Sequence, residues 1–477
     1  MLVKRKSAVA TILAGVTAVV SAAMLVGCAG RPTGYLSIEE RITARGGVGE
    51  NGVFHDALYN PEAIALQFPG YIVGLDKGRR ASVLNGAELP PDDPSDSEGL
   101  KKVKSRVKGD PKVHYVSHVL RSSGQPFGQG NCTLYSMYGK WGNAADADPS
   151  DLSETPGEPC KSRYVVGSAD RAFQDSRLAI GALQEEIGQQ LASGKANYTH
   201  LLVVVMGWNT EQIEAVRNFN SVVSHIKTAS READFRPLFI GVTWSSSWSA
   251  NWFEPAVKGI SYVAKAHDAD EVGATWIAEI LDAVRPHVPL NMPMIAIGHS
   301  FGSRTLVSAL CAGSAFKSAK DRQPRRSWDL FIAWQGAFSI HRMEKDGSGD
   351  GFSYQENCQN DVRSIVMTAS QHDKANDQAF WADMAGSIKS WRETCPPEGG
   401  LAGNGFHCIS SRSVRNTSIA ALPLDGHAVT YLDASNVVFF NQPNTGGGAH
   451  SDIYRAVHGR LNWQLIQSAT LKNQATP

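Results

Sequence analysis

The five residues Gly298-His299-Ser300-Phe301-Gly302 stand between the apolar run MPMIAI and the sequence SRTLVSALCA, whose apolar positions recur with a helical period. No other feature constrains the chain as much. The backbone must leave a strand and enter a helix within one residue, so the serine sits on a sharp turn with its hydroxyl above the sheet. The flanking glycines let neighbouring backbone pack closely around that turn. The pentapeptide pattern alone arises by chance in a chain with 45 glycines among 477 residues. The strand before it and the helix after it give it weight, and Ser300 is the first candidate nucleophile.

From about Asp170 onward, helical and strand patterns alternate. A helical run through AFQDSRLAIGALQEEIGQQLA leads to the strand THLLVVVMGW, then to a helix from Thr210 to about Ser230 and to the strand PLFIGVTW. A helix around Glu271 to Val284 precedes the elbow strand, and WDLFIAWQGAF, RSIVMTAS and NVVFFN supply further strands. Near-continuous apolar runs separated by helices predict a mostly parallel, doubly wound α/β sheet with helices on both faces. Residues 28–165 read as an N-terminal extension of unclear fold, with an exposed Pro/Asp/Ser/Lys-rich loop at about 88–112. Residues 166–470 form the main domain, and 471–477 a tail. In the extension, VHYVSHVL alternates like a strand that would carry His114 and His118 on one face. No partner ligands are evident there, and no metal is expected.

Lys+Arg and Asp+Glu both number 46, and without a basic tract nucleic acid is excluded as a partner. At the N-terminus, Lys4, Arg5 and Lys6 precede an apolar stretch from Ala8 to Val26 that ends in Leu25-Val26-Gly27-Cys28. Residues 1–27 resemble a bacterial lipoprotein signal. That resemblance implies lipidation at Cys28, a membrane tether through the acyl chains, and a place in the cell envelope; Ala29 after the cysteine points to the outer membrane, facing the periplasm or the cell surface. The competing reading is an uncleaved membrane anchor. Beyond Cys28, six cysteines remain, an even number that suits disulfides in an oxidising compartment. Cys132 with Cys160 and Cys395 with Cys408 would close short loops. Cys311 and Cys358 are then a third pair or buried thiols.

The segments VVVMGWNT, GVTWSS, HDADEVG, IAIGHSFGSR, TASQHD and GAHSDIYR, spread over residues from about 170 to 470, resemble an α/β-hydrolase, and specifically a bacterial group of serine esterase-like proteins. The resemblance implies a Ser-Asp-His order along the chain, with the acid after the second strand beyond the elbow strand and the base after the last strand. His450, in NTGGGAHSDIY after NVVFFN, is the expected base, with His427 and His458 as rivals. Asp373, four residues beyond RSIVMTAS, is the expected orienting acid, ahead of Asp377 and Asp433. The oxyanion donors would be the N–H of Phe301 and a second N–H from the loop after Met206, Trp208 or Asn209. The Gly207 loop lacks the His that many lipases carry before that glycine.

These parts imply a serine esterase that acts on an ester-containing small molecule or lipid and needs no cofactor. The alternatives are a peptidase on the same triad and a non-catalytic envelope lipoprotein that keeps the fold for binding. Trp244, Trp248, Trp252 and Phe253 either line an acyl pocket or pack in the core. Asp346, Ser348, Asp350 and Gly351 begin like a calcium loop but meet Asn357 at the twelfth position, so a polar surface loop is expected. Asp268 and Glu271 have capping-box spacing and read as the start of a helix.

Overall fold

In the computed structural model, the residues described are 64–77, 101, 105, 114–137, 159–161, 163–167, 171–194, 196–207, 212–230, 234–244, 266–313, 325–344, 358, 361–378, 383–403, 405–416, 424, 429–440 and 447–471. The lipobox with Cys28, the calcium-like loop, His427, Trp208, Asn209, Trp248, Trp252 and Phe253 lie outside them. Among the described residues no helix is long and apolar enough to cross a membrane.

The apolar runs become strands buried along their length, such as β5 (His200–Val205), β6 (Pro237–Trp244), β7 (Met294–His299), β8 (Leu330–Trp334) and β9 (Ile365–Ala369). Runs with no polar alternation require cover on both faces, which only a helix-flanked parallel sheet supplies. These strands join β1 (Pro69–Lys77), β2 (His114–Ser123), β3 (Cys132–Ser136), β4 (Val165–Val166), β10 (Gly400–Leu401), β11 (Phe406–Ile409) and β12 (Val429–Asp433). Together they make one 12-stranded sheet in the order β10-β11-β12-β9-β8-β7-β5-β6-β1-β2-β3-β4. Pairing is parallel from β11 to β1, and antiparallel at β10–β11, β1–β2 and β2–β3. The fold is therefore a mixed, mostly parallel α/β sheet. The stretch before residue 166, whose fold was not readable from its sequence, continues that sheet through β1 to β4.

Two groups of helices pack on the sheet. One contains α1 (Ala172–Ser193), α3 (Ala278–Val284) and α4 (Phe301–Ala312); in the other, α2 (Gln212–Ala229) packs against α8 (Ala456–Leu471). Between them come the short α5 (Lys374–Gln378), α6 (Ile388–Thr394) and α7 (Ser411–Asn416). The helix ending in α3 already runs through residues 266–272 and passes a π turn at Gly273–Ile277, where it meets α4. Chain order reverses between β5 and β7, because β6 lies on one side of β5 and β7 on the other. Such a switch point opens a crevice at the carboxyl ends of the strands.

Three readings change. Residues 436–440 of NVVFFN form a turn and β12 is the strand before it: Asp452 accepts the backbone N–H groups of Phe439 and Phe440 at 2.9 and 2.8 Å and leaves Phe440 72% exposed. Asp268 lies inside the helical residues 266–272 instead of capping them. His114 and His118 do not share a face. A bulge at Ser117 shifts the register so that they pair with Lys77 and Gly74, an odd number of residues apart on β1.

Cys132–Cys160, Cys311–Cys358 and Cys395–Cys408 are disulfides. The second ties the end of α4 to the segment leading into β9. Closing a loop with a sequence separation of 47 constrains the unfolded chain by roughly 4 kcal/mol. The Cys311→Ala/Cys358→Ala double variant is accordingly expected to unfold at lower urea, by about 3–4 kcal/mol; an unchanged midpoint would show that the bridge does not form.

Candidate active site

Ser300 links β7 to α4 with φ 54° and ψ −122°, a backbone conformation that costs a non-glycine residue roughly 1–3 kcal/mol. The surroundings fix it. Its N–H donates to the Trp334 carbonyl at 2.9 Å, and its own carbonyl accepts from Ser303 at 3.0 Å and Ala337 at 3.2 Å. The elbow glycines are required by close packing: a Cβ on Gly302 would stand 2.1 Å from the Val205 carbonyl oxygen, and one on Gly298 would stand 2.6 Å from Ser303 Cα. Gly207, in the loop after β5, crosses directly over the serine, since a Cβ there would stand 2.7 Å from Ser300 Cβ. The stretch where the second oxyanion donor is expected therefore begins at the elbow, although Trp208 itself is not described. Phe301, the expected first donor, opens α4 and is buried. Trp244 is buried and donates its indole N–H to the Met206 carbonyl at 3.0 Å, so it packs beneath that loop.

Two loops bring Asp373 and His450, the expected acid and base, together. Residues 372–375, after β9, pair with residues 447–449: Ala449 N–H donates to the His372 carbonyl at 2.7 Å, and Lys374 and Ala375 donate to the Gly447 carbonyl at 3.0 and 3.2 Å. Gly448 has φ +58°, and a Cβ there would stand 2.3 Å from the His372 oxygen, so the glycine run is what lets the loops close on each other. Across this pairing, His450 Nδ1 lies 2.9 Å from Asp373 Oδ2. An anionic acceptor places the proton on Nδ1 and leaves Nε2 as the basic nitrogen.

Asp373 is fully buried and also accepts from Gln335 Nε2 at 3.0 Å, Asn376 Nδ2 at 2.7 Å and the Asn376 N–H at 3.1 Å. Burial alone would raise its pKa. The charge and hydrogen bond of His450, with the two bonds from Asn376, outweigh that and hold it below the ordinary carboxylate value. Of the rival residues, Asp377 accepts from the Ser387 hydroxyl, Asp433 caps the turn at Ser435, and His458 is buried against Trp334 and accepts the Arg455 N–H. None of the three is shown bonded to His450.

Two residues of the constellation escaped the sequence reading. His299 is buried, and its Nε2 donates to the His450 carbonyl at 3.0 Å, joining the elbow directly to the base loop. Burial, reinforced by the neighbouring His450, pushes it down to about 3, so the ring is neutral. Its place in a variable motif position gave no signal. Gln335, the residue after β8, has φ 48° and is clamped by Thr368 Oγ1, which meets its N–H at 3.0 Å and its Oε1 at 2.8 Å. The Gln-Gly pair closing WDLFIAWQG was the available hint of a turn there.

No protein-family model and no curated protein matches this chain. The site is therefore read on its own geometry. A polarised imidazole, an anion behind it and a strained serine on the neighbouring turn are the parts that acyl transfer requires.

Gly207→Ala should destabilise the fold by roughly 1–3 kcal/mol in urea titration, because the methyl group must displace the elbow; a neutral effect would place that loop elsewhere. Burial also pushes His200 and His458 down to about 4, against an ordinary histidine value of 6.5. With His299, these groups bind protons in the unfolded chain before they do in the folded one. Stability is thus complete above about pH 6.5 and declines as pH falls toward 4, by roughly 1–2 kcal/mol per histidine near pH 5. Equal urea midpoints at about pH 5 and pH 7.5 would contradict neutral burial of these rings.

Proposed function

We propose that the chain is a serine hydrolase of the α/β-hydrolase fold that cleaves carboxylic esters through an acyl-enzyme, with Ser300 as nucleophile, His450 as base and Asp373 as orienting acid. The observation that carries this reading is the 2.9 Å bond between His450 Nδ1 and the buried Asp373 carboxylate, made on the loop that His299 ties to the nucleophile turn. His450 Nε2 removes the Ser300 proton as the hydroxyl oxygen attacks the ester carbonyl. Asp373 stabilises the imidazolium that results and keeps the ring in its working tautomer. The Phe301 N–H, at the start of α4, and the N–H of Trp208 receive the developing oxyanion. His450 then returns the proton to the departing alcohol, and the same cycle with water releases the acid and restores Ser300.

The reading extends to the cell envelope, where a lipid on Cys28 would tether the enzyme to a membrane. Three disulfides within the folded part fit an oxidising compartment of that kind.

A fluorophosphonate probe should label folded wild-type protein at Ser300 and fail to label Ser300→Ala or His450→Ala. Asp373→Asn should keep the fold and lower kcat/KM toward an activated ester by roughly 10³–10⁴, because the wrong tautomer is then held. Well-folded protein that takes no label would instead favour a binding protein built on the same fold. Cleavage of amides at rates similar to esters would favour a peptidase.

A further inference from the structure

Away from the serine, the other end of the same sheet rim gathers His114, Asp268 and Glu271. All three are buried, His114 completely, and one ligand-type atom from each lies within 4.8 Å of those of the other two. Asp268 and Glu271 are three residues apart inside a helix and so share a face. His114 opens β2, and the same helix fixes its backbone on both sides: its N–H donates to Glu271 Oε1 at 3.3 Å, and its carbonyl accepts from Trp276 Nε1 at 2.7 Å. Among the described residues neither ring nitrogen of His114 has a hydrogen-bond partner, and Nδ1 stands 3.2 Å from Glu271 Oε2, off the line of a hydrogen bond.

A fully buried imidazole without a hydrogen bond, lying beside two buried carboxylates, is costly unless something binds it. Donors bound to one ion at about 2.1 Å stand roughly 3.0–3.4 Å apart, and the imidazole–carboxylate separation already has that value. We propose that His114, Asp268 and Glu271 bind a single divalent transition-metal ion of the zinc type. One imidazole and two carboxylates match the N/O preference of such ions. The set lacks the six to eight oxygens that calcium takes and the thiolates that copper(I) prefers.

The ion has a structural role. β2 is four strands from β7 in the sheet order, roughly 19 Å at the usual strand spacing, so the strand that supplies His114 lies well along the sheet from the elbow strand. The metal joins the start of β2 to the helix that also carries Asp270, and so fastens the edge strands to the frame of the elbow. This site stands independently of the hydrolase reading.

The test uses the untagged chain, stripped with a chelator, dialysed and offered zinc alone. Metal analysis should find about one zinc per chain, and zinc should raise the melting temperature by roughly 5 °C. The Asp268→Asn/Glu271→Gln and His114→Asn variants, checked for folding by near-UV circular dichroism, should lose the shift and weaken zinc binding by more than about 100-fold. Zinc bound equally well by these variants, response to calcium only, or no uptake by folded wild-type protein would each overturn the proposal. The last outcome is decisive even if a variant fails to fold.

Discussion

One carboxylate holds the frame of the candidate site. Asp270, inside the helical residues 266–272, accepts from Arg304 Nε and Nη2 at 3.0 and 2.6 Å and from Arg342 Nη1 and Nη2 at 2.8 and 2.9 Å, with the Ser308 hydroxyl at 2.8 Å. Burial alone would raise its pKa, but the two guanidinium groups reverse this and keep it well below the ordinary carboxylate range. Arg304 is one turn into α4 after Ser300, and Arg342 closes the short turn Ile340–Arg342 after β8. A single anion on the helix behind them therefore fastens the elbow helix to the turn that follows the strand beside the elbow. Removing one member of such a buried set strands uncompensated charge, at a typical cost of about 3–5 kcal/mol.

With that frame fixed, the remaining parts are placed by backbone. The strained serine turn is held by carbonyls and amides of β8 and α4, and the acid and base loops close through main-chain bonds before their side chains meet. Preorganisation of this kind matters to the proposed reaction, in which the imidazole changes charge while its surroundings stay still. The neutral His299 serves the same end, gripping the backbone of His450 without adding a competing charge beside its ring.

Much of this was legible in the sequence because chemistry in a parallel sheet gathers where buried strands end. Ser300 was nominated by its own strand-to-helix turn, while Asp373 and His450 were nominated by the Ser-Asp-His order that the resemblance to α/β-hydrolases implies. What could not be read depends on three-dimensional register. His299 looks like filler inside a motif, and Gln335 matters only because its backbone is forced to a positive φ. Asp268 and Glu271 were misassigned because a three-residue spacing serves a helix cap and a helix face equally well. NVVFFN looked like a strand because β-branched and aromatic residues dominate it, yet Asp452 captures its amides first. The strands β1, β3 and β4 were hidden by long polar interruptions, while β2 was legible in VHYVSHVL except for the one-residue bulge that puts His114 and His118 on opposite faces.

The covalent bridges have a consequence for damage as well as for folding. Their sequence separations are 28, 47 and 13, so each encloses a neighbourhood and none joins the two ends of the sheet. A protease that cuts between Cys311 and Cys358 produces two chains that still travel as one molecule. The elbow helix remains leashed to the segment that leads into β9 and the acid loop. Such a nick is silent on a non-reducing gel and is exposed only when a thiol reductant opens the bridge, so cleavage history and redox state are recorded jointly in this region of the molecule.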